Sequence, residues 1–151
     1  MRHDIPISEI LASKGHQAWS VPVEATVLKA IEIMAEKNVG ALLVTRDGEL
    51  IGVISERDYT RNVALKGRSS RTTPVREIIS GRVITVSPDH TVEDCMELMT
   101  RHRIRHLPVV RGADILGVIS IGDLVNCIIS NQHTTIQQLE TYISGVPTPA
   151  A

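Results

Sequence analysis

The chain has 151 residues, 42% of them hydrophobic, and a formal net charge of −1 at pH 7, a composition that excludes wholesale disorder. The near-zero charge argues against nucleic-acid binding over the whole chain, because domains that bind nucleic acid are usually strongly basic. Aromatic residues are only 2% of the chain, so the core must be aliphatic, and a pocket for a flat ring would have mostly aliphatic walls.

The chain starts with a lead-in, residues 1–16, in which the segment 7–12 is predicted to be helical. The lead-in lacks the apolar stretch of about 7–15 residues that a signal peptide carries, and no run reaches the ~18 apolar residues of a transmembrane helix. Two cysteines, Cys95 and Cys127, are too few for a disulfide framework, so we expect buried, reduced thiols. We therefore expect a cytoplasmic protein without a membrane partner.

The next segment, residues 17–66, predicts alternating strands and helices. Apolar residues recur at helical spacing in its first half, and an Asp-Gly pair at 47–48 predicts a tight hairpin between two short apolar runs. The predicted elements are an extended lead-in strand at 18–21, a helix at 26–37, strands at 41–44 and 50–54, and a helix at 55–65.

The same pattern returns after a polar linker, residues 67–81. Gly52-Val53-Ile54-Ser55 followed by Asp58 is matched 65 positions later (117 − 52) by Gly117-Val118-Ile119-Ser120 followed by Asp123, and this offset holds without a gap. A constant register of this length indicates two copies of one supersecondary unit. The second copy, 82–131, predicts a lead-in strand at 83–86, a helix at 92–102, strands at 106–110 and 115–119, and a helix at 121–130; the remainder, 132–151, predicts a helix at 134–144 and a tail.

Each copy alone is expected to be only marginally stable, since a unit of about 60 residues with a three-stranded sheet buries a small core. We therefore expect the two βαββα copies to pack into one α/β (α+β) module with pseudo-twofold symmetry.

The repeated Ser-x-x-Asp motifs, Ser55 with Asp58 and Ser120 with Asp123, lie where a strand ends and a helix begins. One interpretation is a capping box, in which the serine caps the helix and the acid reaches back. The other is a ligand site, because a hydroxyl beside free helix N–H groups suits a phosphate and an Asp can accept hydrogen bonds from a ribose diol. The residues alone leave both interpretations open.

Each copy resembles the cystathionine-β-synthase (CBS) domain in its strand pair and in the motif that follows, G-V-I-S-E-R-D in the first copy and G-V-I-S-I-G-D in the second. Two in tandem, over roughly residues 17–130, resemble a CBS pair or Bateman module, of a stand-alone subgroup from bacteria and plant organelles. The resemblance implies a non-enzymatic sensor that binds an adenine nucleotide in a cleft between the two repeats and signals by conformational change to an unknown regulated protein. It also implies a homodimer, since the apolar outer helices of such pairs usually pack on a second pair.

By this resemblance, Asp58 and Asp123 hold the ribose hydroxyls, and Ser55 and Ser120 lie near the phosphate. The adenine is expected beside the lead-in strands and the first residues of the middle strands, which are Trp19, Ser20, Ile84 and Thr85, and Gly40, Ala41, Leu42, Arg105, His106, Leu107 and Pro108.

The two clefts are not expected to be equivalent. The family often has Ser or Thr just before the motif Asp, whereas this chain has Arg57 in one copy and Gly122 in the other. Arg57 offers a charged phosphate contact, and Gly122 offers only its backbone. Because of Arg57 and a nearby basic cluster, AMP and NAD(H) are expected ahead of ATP, ADP or S-adenosylmethionine.

That basic cluster is Arg101-His102-Arg103-Ile104-Arg105-His106, and its counterpart in the first copy is not basic. It fits a solvated cap at a helix C-terminus, or Arg103 or Arg105 acting with Arg57 on a phosphate. A nucleic-acid patch is disfavoured by the negative net charge and the scarcity of stacking aromatics.

The motifs leave two alternative functions open. One is a protein-interaction and dimerisation module whose clefts bind no physiological nucleotide, and the other, weaker alternative is a nucleic-acid-binding protein. No metal site or catalytic arrangement is predicted, because a helix-to-strand break is expected between His102 and His106 and no Cys or carboxylate completes a ligand set.

Overall fold

The computed structural model of the chain describes residues 4–79 and 82–144, so the predicted tail from 145 lies outside the described residues. The helices are α1 (Ile7–Lys14), α2 (Val27–Lys37), α3 (Glu56–Tyr59, continued by a π-helical turn at Thr60–Ala64), α4 (Val92–His102) and α5 (Ile121–Ser144), with a 3₁₀ turn at Val75–Glu77. The strands are β1 (Ser20–Pro22), β2 (Ala41–Arg46), β3 (Glu49–Ser55), β4 (His106–Arg111) and β5 (Asp114–Ser120). This order confirms the mixed α+β fold with two tandem copies of one unit.

The buried residues repeat with the sequence. Apolar side chains that are at most 3% exposed recur at the offset of 65 in both copies, and burying each Val, Leu, Ile or Met among them contributes about 1.5–3 kcal/mol. The two copies therefore use the same core positions. These pairs are Val21 and Val86, Val27 and Val92, Ala30 and Cys95, Met34 and Met99, Leu42 and Leu107, Val44 and Val109, and Ile54 and Ile119.

The described residues form two compact units. The central unit comprises residues 16–79, 82–85 and 108–118; its sheet has the order β1-β2-β3, with β1 parallel and β3 antiparallel to β2. Its core is aliphatic, and Trp19 and Tyr59 pack against that core only partly buried. The terminal unit comprises residues 4–15, 86–107 and 119–144, and contains α1, α4 and α5, with Ile7, Leu11 and Leu124 fully buried.

The second copy lacks the predicted lead-in strand, because residues 83–86 form none in the described chain and its sheet consists of β4 and β5 alone. In the first copy, the backbone N–H of Leu43 donates to the carbonyl of Trp19 over 3.0 Å. The residue equivalent to Leu43 is Pro108, which has no N–H to donate. The prediction of a lead-in strand in the second copy was therefore wrong, because Pro108 cannot make the hydrogen bond that holds this strand in the first copy.

Two helices differ from their predicted lengths. The helices predicted at 121–130 and 134–144 are one 24-residue helix, α5, because no glycine or proline lies between them to end it. The helix predicted at 55–65 is α-helical only to Tyr59, and Thr60–Ala64 continues it as a π-helical turn.

The prediction of two buried thiols is confirmed for Cys95 and not for Cys127. Cys95 is buried, and burial raises its pKa to about 12, which makes it an unreactive core residue. Cys127 is only half-buried, although its burial also raises its pKa.

Candidate functional site

The first Ser-x-x-Asp motif joins the end of β3 to the start of α3 in the central unit. The backbone N–H of Asp58 donates to Ser55 Oγ over 3.2 Å, and the backbone N–H of Ser55 donates to Asp58 Oδ2 over 2.8 Å. The Ser55 hydroxyl also donates to Asp58 Oδ2, over 3.0 Å. The N–H of Glu56 donates to the carbonyl of Gly40 over 3.1 Å, so the start of β2 lies against the beginning of the helix.

The second motif, in the terminal unit, has the same local geometry. The Ser120 N–H donates to Asp123 Oδ2 over 2.8 Å, and the Asp123 N–H donates to Ser120 Oγ over 3.2 Å. The N–H of Ile121 donates to the carbonyl of Arg105 over 2.9 Å. Each motif therefore places a strand start beside a helix N-terminus.

The capping interpretation and the ligand interpretation are compatible. Both motifs are capping boxes, but in the described residues the hydrogen bonds recorded on Asp58 and Asp123 all end on Oδ2. A carboxylate can accept about four hydrogen bonds over its two oxygens. Oδ1 of each carboxylate therefore retains its capacity to accept a hydroxyl.

The second motif carries an ion pair that the sequence analysis missed. Lys14, at the end of α1, donates from Nζ to Asp123 Oδ2 over 2.7 Å, and the two side chains are 34% and 20% exposed. By the offset of 65, the residue equivalent to Lys14 is Ile79 in the linker, whose Cδ1 would lie 3.1 Å from a Cβ added at Gly52, on the strand that leads to the first motif. Lys14 lies outside the predicted repeat, and nothing in its local sequence marks it.

This arrangement favours the charged form of Asp123. Burial raises the pKa of its carboxyl, but the hydrogen bonds from Lys14 and the Ser120 N–H, together with the Lys14 charge, hold that pKa below the usual 3.8. An acid whose pKa is lower in the folded chain stabilises the fold above the unfolded pKa. That stabilisation disappears as the pH falls through the folded-state pKa.

We accordingly expect Lys14→Met to reduce the loss of stability on acidification from pH 5 to pH 3. The pair is partly exposed, so the difference in the free energy of unfolding at neutral pH should be at most about 1 kcal/mol. Urea unfolding at each pH measures it, with Lys66→Met as a control for the lost surface charge. Equal acid sensitivity of the wild type and Lys14→Met would show that the ion pair does not set this pKa.

The lining residues predicted for adenine divide by exposure. Leu42 and Leu107 are 1% and 0% exposed, and Pro108 is also buried, so these three residues offer almost no surface to a ligand. Half-buried or exposed are Trp19, Ser20, Gly40, Ala41, Arg57, Ile84, Thr85, Arg105, His106 and Gly122. Trp19 has Lys37 Nζ 4.4 Å from its ring centroid, a cation-π contact. These assignments remain predictions.

The basic cluster contains a helix C-cap. Arg103 ends α4 in the left-handed conformation (φ 54°), as Asn38 ends α2 (φ 54°). Arg103 is exposed, which favours the solvated-cap interpretation for this residue. Its proposed role toward phosphate remains a prediction.

A cavity of about 400 Å³ lies between α1 and α5 within the terminal unit. Lys14 and Asp123 line it together with Glu9 and Cys127. Its volume is within the range of small-molecule pockets.

In 4–79 and 82–144, no three His, Cys, Asp or Glu side chains are grouped so as to hold a metal ion. None of the described helices is long and apolar enough to cross a membrane.

Comparison with known proteins gives one consistent result. The family model for the CBS domain matches residues 2–65 and 75–130. The chain is 40% identical over 149 residues to the mitochondrial CBS domain-containing protein CBSX3 of Arabidopsis thaliana, covering 92% of this chain and 72% of that protein. A putative signal-transduction protein with CBS domains from Burkholderia ambifaria is 45% identical with a TM-score of 0.81, over 84% of this chain and 96% of that one. The hexameric CBS-CP12 protein of bloom-forming cyanobacteria is 31% identical with a TM-score of 0.73, and the match covers 80% of this chain and 70% of that one.

Proposed function

Because the chain belongs to the CBS-domain family as a tandem pair, we propose that it is a non-catalytic regulatory module that binds adenine nucleotides at its Ser-x-x-Asp motifs. AMP and NAD(H) are the preferred ligands, and ATP is the next. CBS-domain pairs are commonly regulatory, and the similar Burkholderia protein is described as a putative signal-transduction protein. Binding would shift the chain between conformations by the difference in ligand affinity between them.

The geometry of the first motif supports this proposal most directly. Asp58 is half-buried and held by its bonds to Ser55, so its carboxylate is fixed before a ligand arrives. Its Oδ1 can accept a ribose hydroxyl, and a charge-assisted bond of this kind is about twice as strong as a neutral one. Arg57, adjacent in sequence, would then meet the phosphate.

A thermal-shift panel of AMP, ATP, NAD, NADH and S-adenosylmethionine tests the proposal. A ligand present at a hundredfold excess over its Kd stabilises by about 2.7 kcal/mol, which should raise the Tm by roughly 5–10 °C for a chain of this size. If no nucleotide at millimolar concentration moves the Tm, the proposal fails. The cytoplasmic location and the regulated protein also stay predictions, and the Arabidopsis relative is described as mitochondrial.

A second candidate function, dimerisation, is favoured by one face of α5. Six large apolar side chains on this helix are 45–82% exposed, and at 100° per residue they fall within an arc of about 80°. We call this face the α5 stripe; it consists of Ile121, Val125, Ile129, Ile136, Leu139 and Ile143.

The duplication provides an internal comparison for the α5 stripe. At the equivalent positions of the first copy the chain has Glu56, Thr60 and Ala64 where the stripe has its first three residues. The shared fold therefore does not require large apolar residues there. The stripe belongs to the second copy and its extension alone.

The size of the α5 stripe fits a second copy of this chain. Its side chains expose roughly 600 Å² per protomer, at the upper end of apolar patches on monomers and near the ~800 Å² that each partner contributes to a standard interface. An apolar face on a helix can pack on its own symmetry mate without needing charge complementarity. We therefore propose a homodimer through α5.

A further inference from the structure

The carboxylates of the two motifs both accept a hydrogen bond from a serine N–H, but they differ in the second group that donates to the same oxygen. In the first motif, Asp58 Oδ2 accepts from the N–H and the hydroxyl of Ser55, and a hydroxyl can rotate to release that oxygen. In the second motif, Asp123 Oδ2 accepts from the Ser120 N–H and from the Lys14 ammonium over 2.7 Å. The ammonium both occupies the oxygen and neutralises the carboxylate.

The duplicated fold does not demand this ammonium, since the residue equivalent to Lys14 is Ile79. Lys14 is 34% exposed and Asp123 is 20% exposed, so the pair is partly shielded from solvent and less screened by salt than a surface pair. Both residues line the α1–α5 cavity. A ligand that enters there meets an ion pair instead of a bare carboxylate.

We propose that Lys14 is a specificity-determining residue, which commits Asp123 to an ion pair so that the second motif does not select for a ribose diol, whereas the first motif does. A diol is best held when both carboxylate oxygens accept a hydroxyl. Asp58 can offer both after its serine rotates, and Asp123 offers only Oδ1 while Lys14 is in place. The inference rests on the proposed nucleotide binding and assigns different preferences to the two motifs.

The test compares the Kd for AMP with the Kd for 2′-deoxy-AMP by titration calorimetry. In Asp123→Asn, Asp58 of the first motif is the only motif carboxylate left to bind the diol. We expect this variant to prefer AMP over 2′-deoxy-AMP by about tenfold or more, the value of one charge-assisted hydrogen bond. Asp58→Asn isolates the second motif, which should prefer AMP by less than about threefold. Adding Lys14→Met to Asp58→Asn should restore the preference to about tenfold.

Two control variants separate this role from a structural one. Lys14→Arg keeps the cation and should keep the preference low, and Lys66→Met removes an exposed lysine elsewhere and should change nothing. An equal preference in the two single-motif proteins, or no increase with Lys14→Met, would overturn the inference while nucleotide binding stands. Absence of AMP binding in every variant would overturn the proposed function and this inference with it.

Discussion

Asp58→Asn is expected to weaken AMP binding at the first motif by about thirtyfold or more. The substitution removes the charge that makes the hydrogen bonds to the ribose strong, and such bonds contribute about 1.5–3 kcal/mol each. Isothermal titration calorimetry in an Asp123→Asn background measures the loss, because any binding at the second motif is then the same in both proteins compared. The free energy of unfolding should fall by about 1 kcal/mol, the usual cost of losing a helix cap.

Asp94→Asn is the matched control for this variant. Asp94 closes a capping box on α4 with Thr91, accepting the Thr91 N–H over 2.9 Å, as Asp58 does with Ser55. It lies outside both motifs, so its loss should affect stability and leave AMP affinity unchanged. If both substitutions alter stability alike and neither alters AMP affinity, Asp58 is only a capping residue.

Ile129→Asp is expected to convert the dimer into monomers. A carboxylate placed on each side of an apolar interface must lose its hydration without a partner, and a charge left buried and unpaired costs several kcal/mol. Because the effect falls on both protomers, the dimer Kd should rise by more than about a hundredfold. Sedimentation equilibrium over a range of concentrations measures it.

The control for this variant is Ala64→Asp, the same change at the equivalent exposed position of the first copy. It should leave the dimer intact. A wild-type chain that is monomeric at every concentration, or an Ile129→Asp variant as dimeric as the control, would refute an interface through the α5 stripe.

The sequence predicted the repeated parts of the fold well, because each copy checks the other. The offset of 65 aligned the core, so that Leu42 and Leu107, or Ile54 and Ile119, are buried together. The helix starts predicted at 26 and 92 also agree with the structure to within one residue, where the side chains of Thr26 and Thr91 accept helix N–H groups. The capping geometry of the motifs followed from local sequence rules.

The features that sequence reasoning missed are those that distinguish the copies. Pro108 removes one backbone donor and with it the lead-in strand of the second copy, an effect that the shared pattern hid. The joining of two predicted helices into α5 depended on the absence of a breaker between them. The contact of Lys14 with Asp123 joins residues 109 positions apart, so only the folded chain brings them together.

Calorimetric titration of the wild-type chain with AMP shows whether this CBS pair binds an adenine nucleotide. We expect saturable binding with a Kd below the millimolar range, and a Kd at the first motif that rises about thirtyfold or more in Asp58→Asn. Absence of binding heat at several temperatures, with no change in Tm at millimolar AMP or NAD, would contradict this expectation.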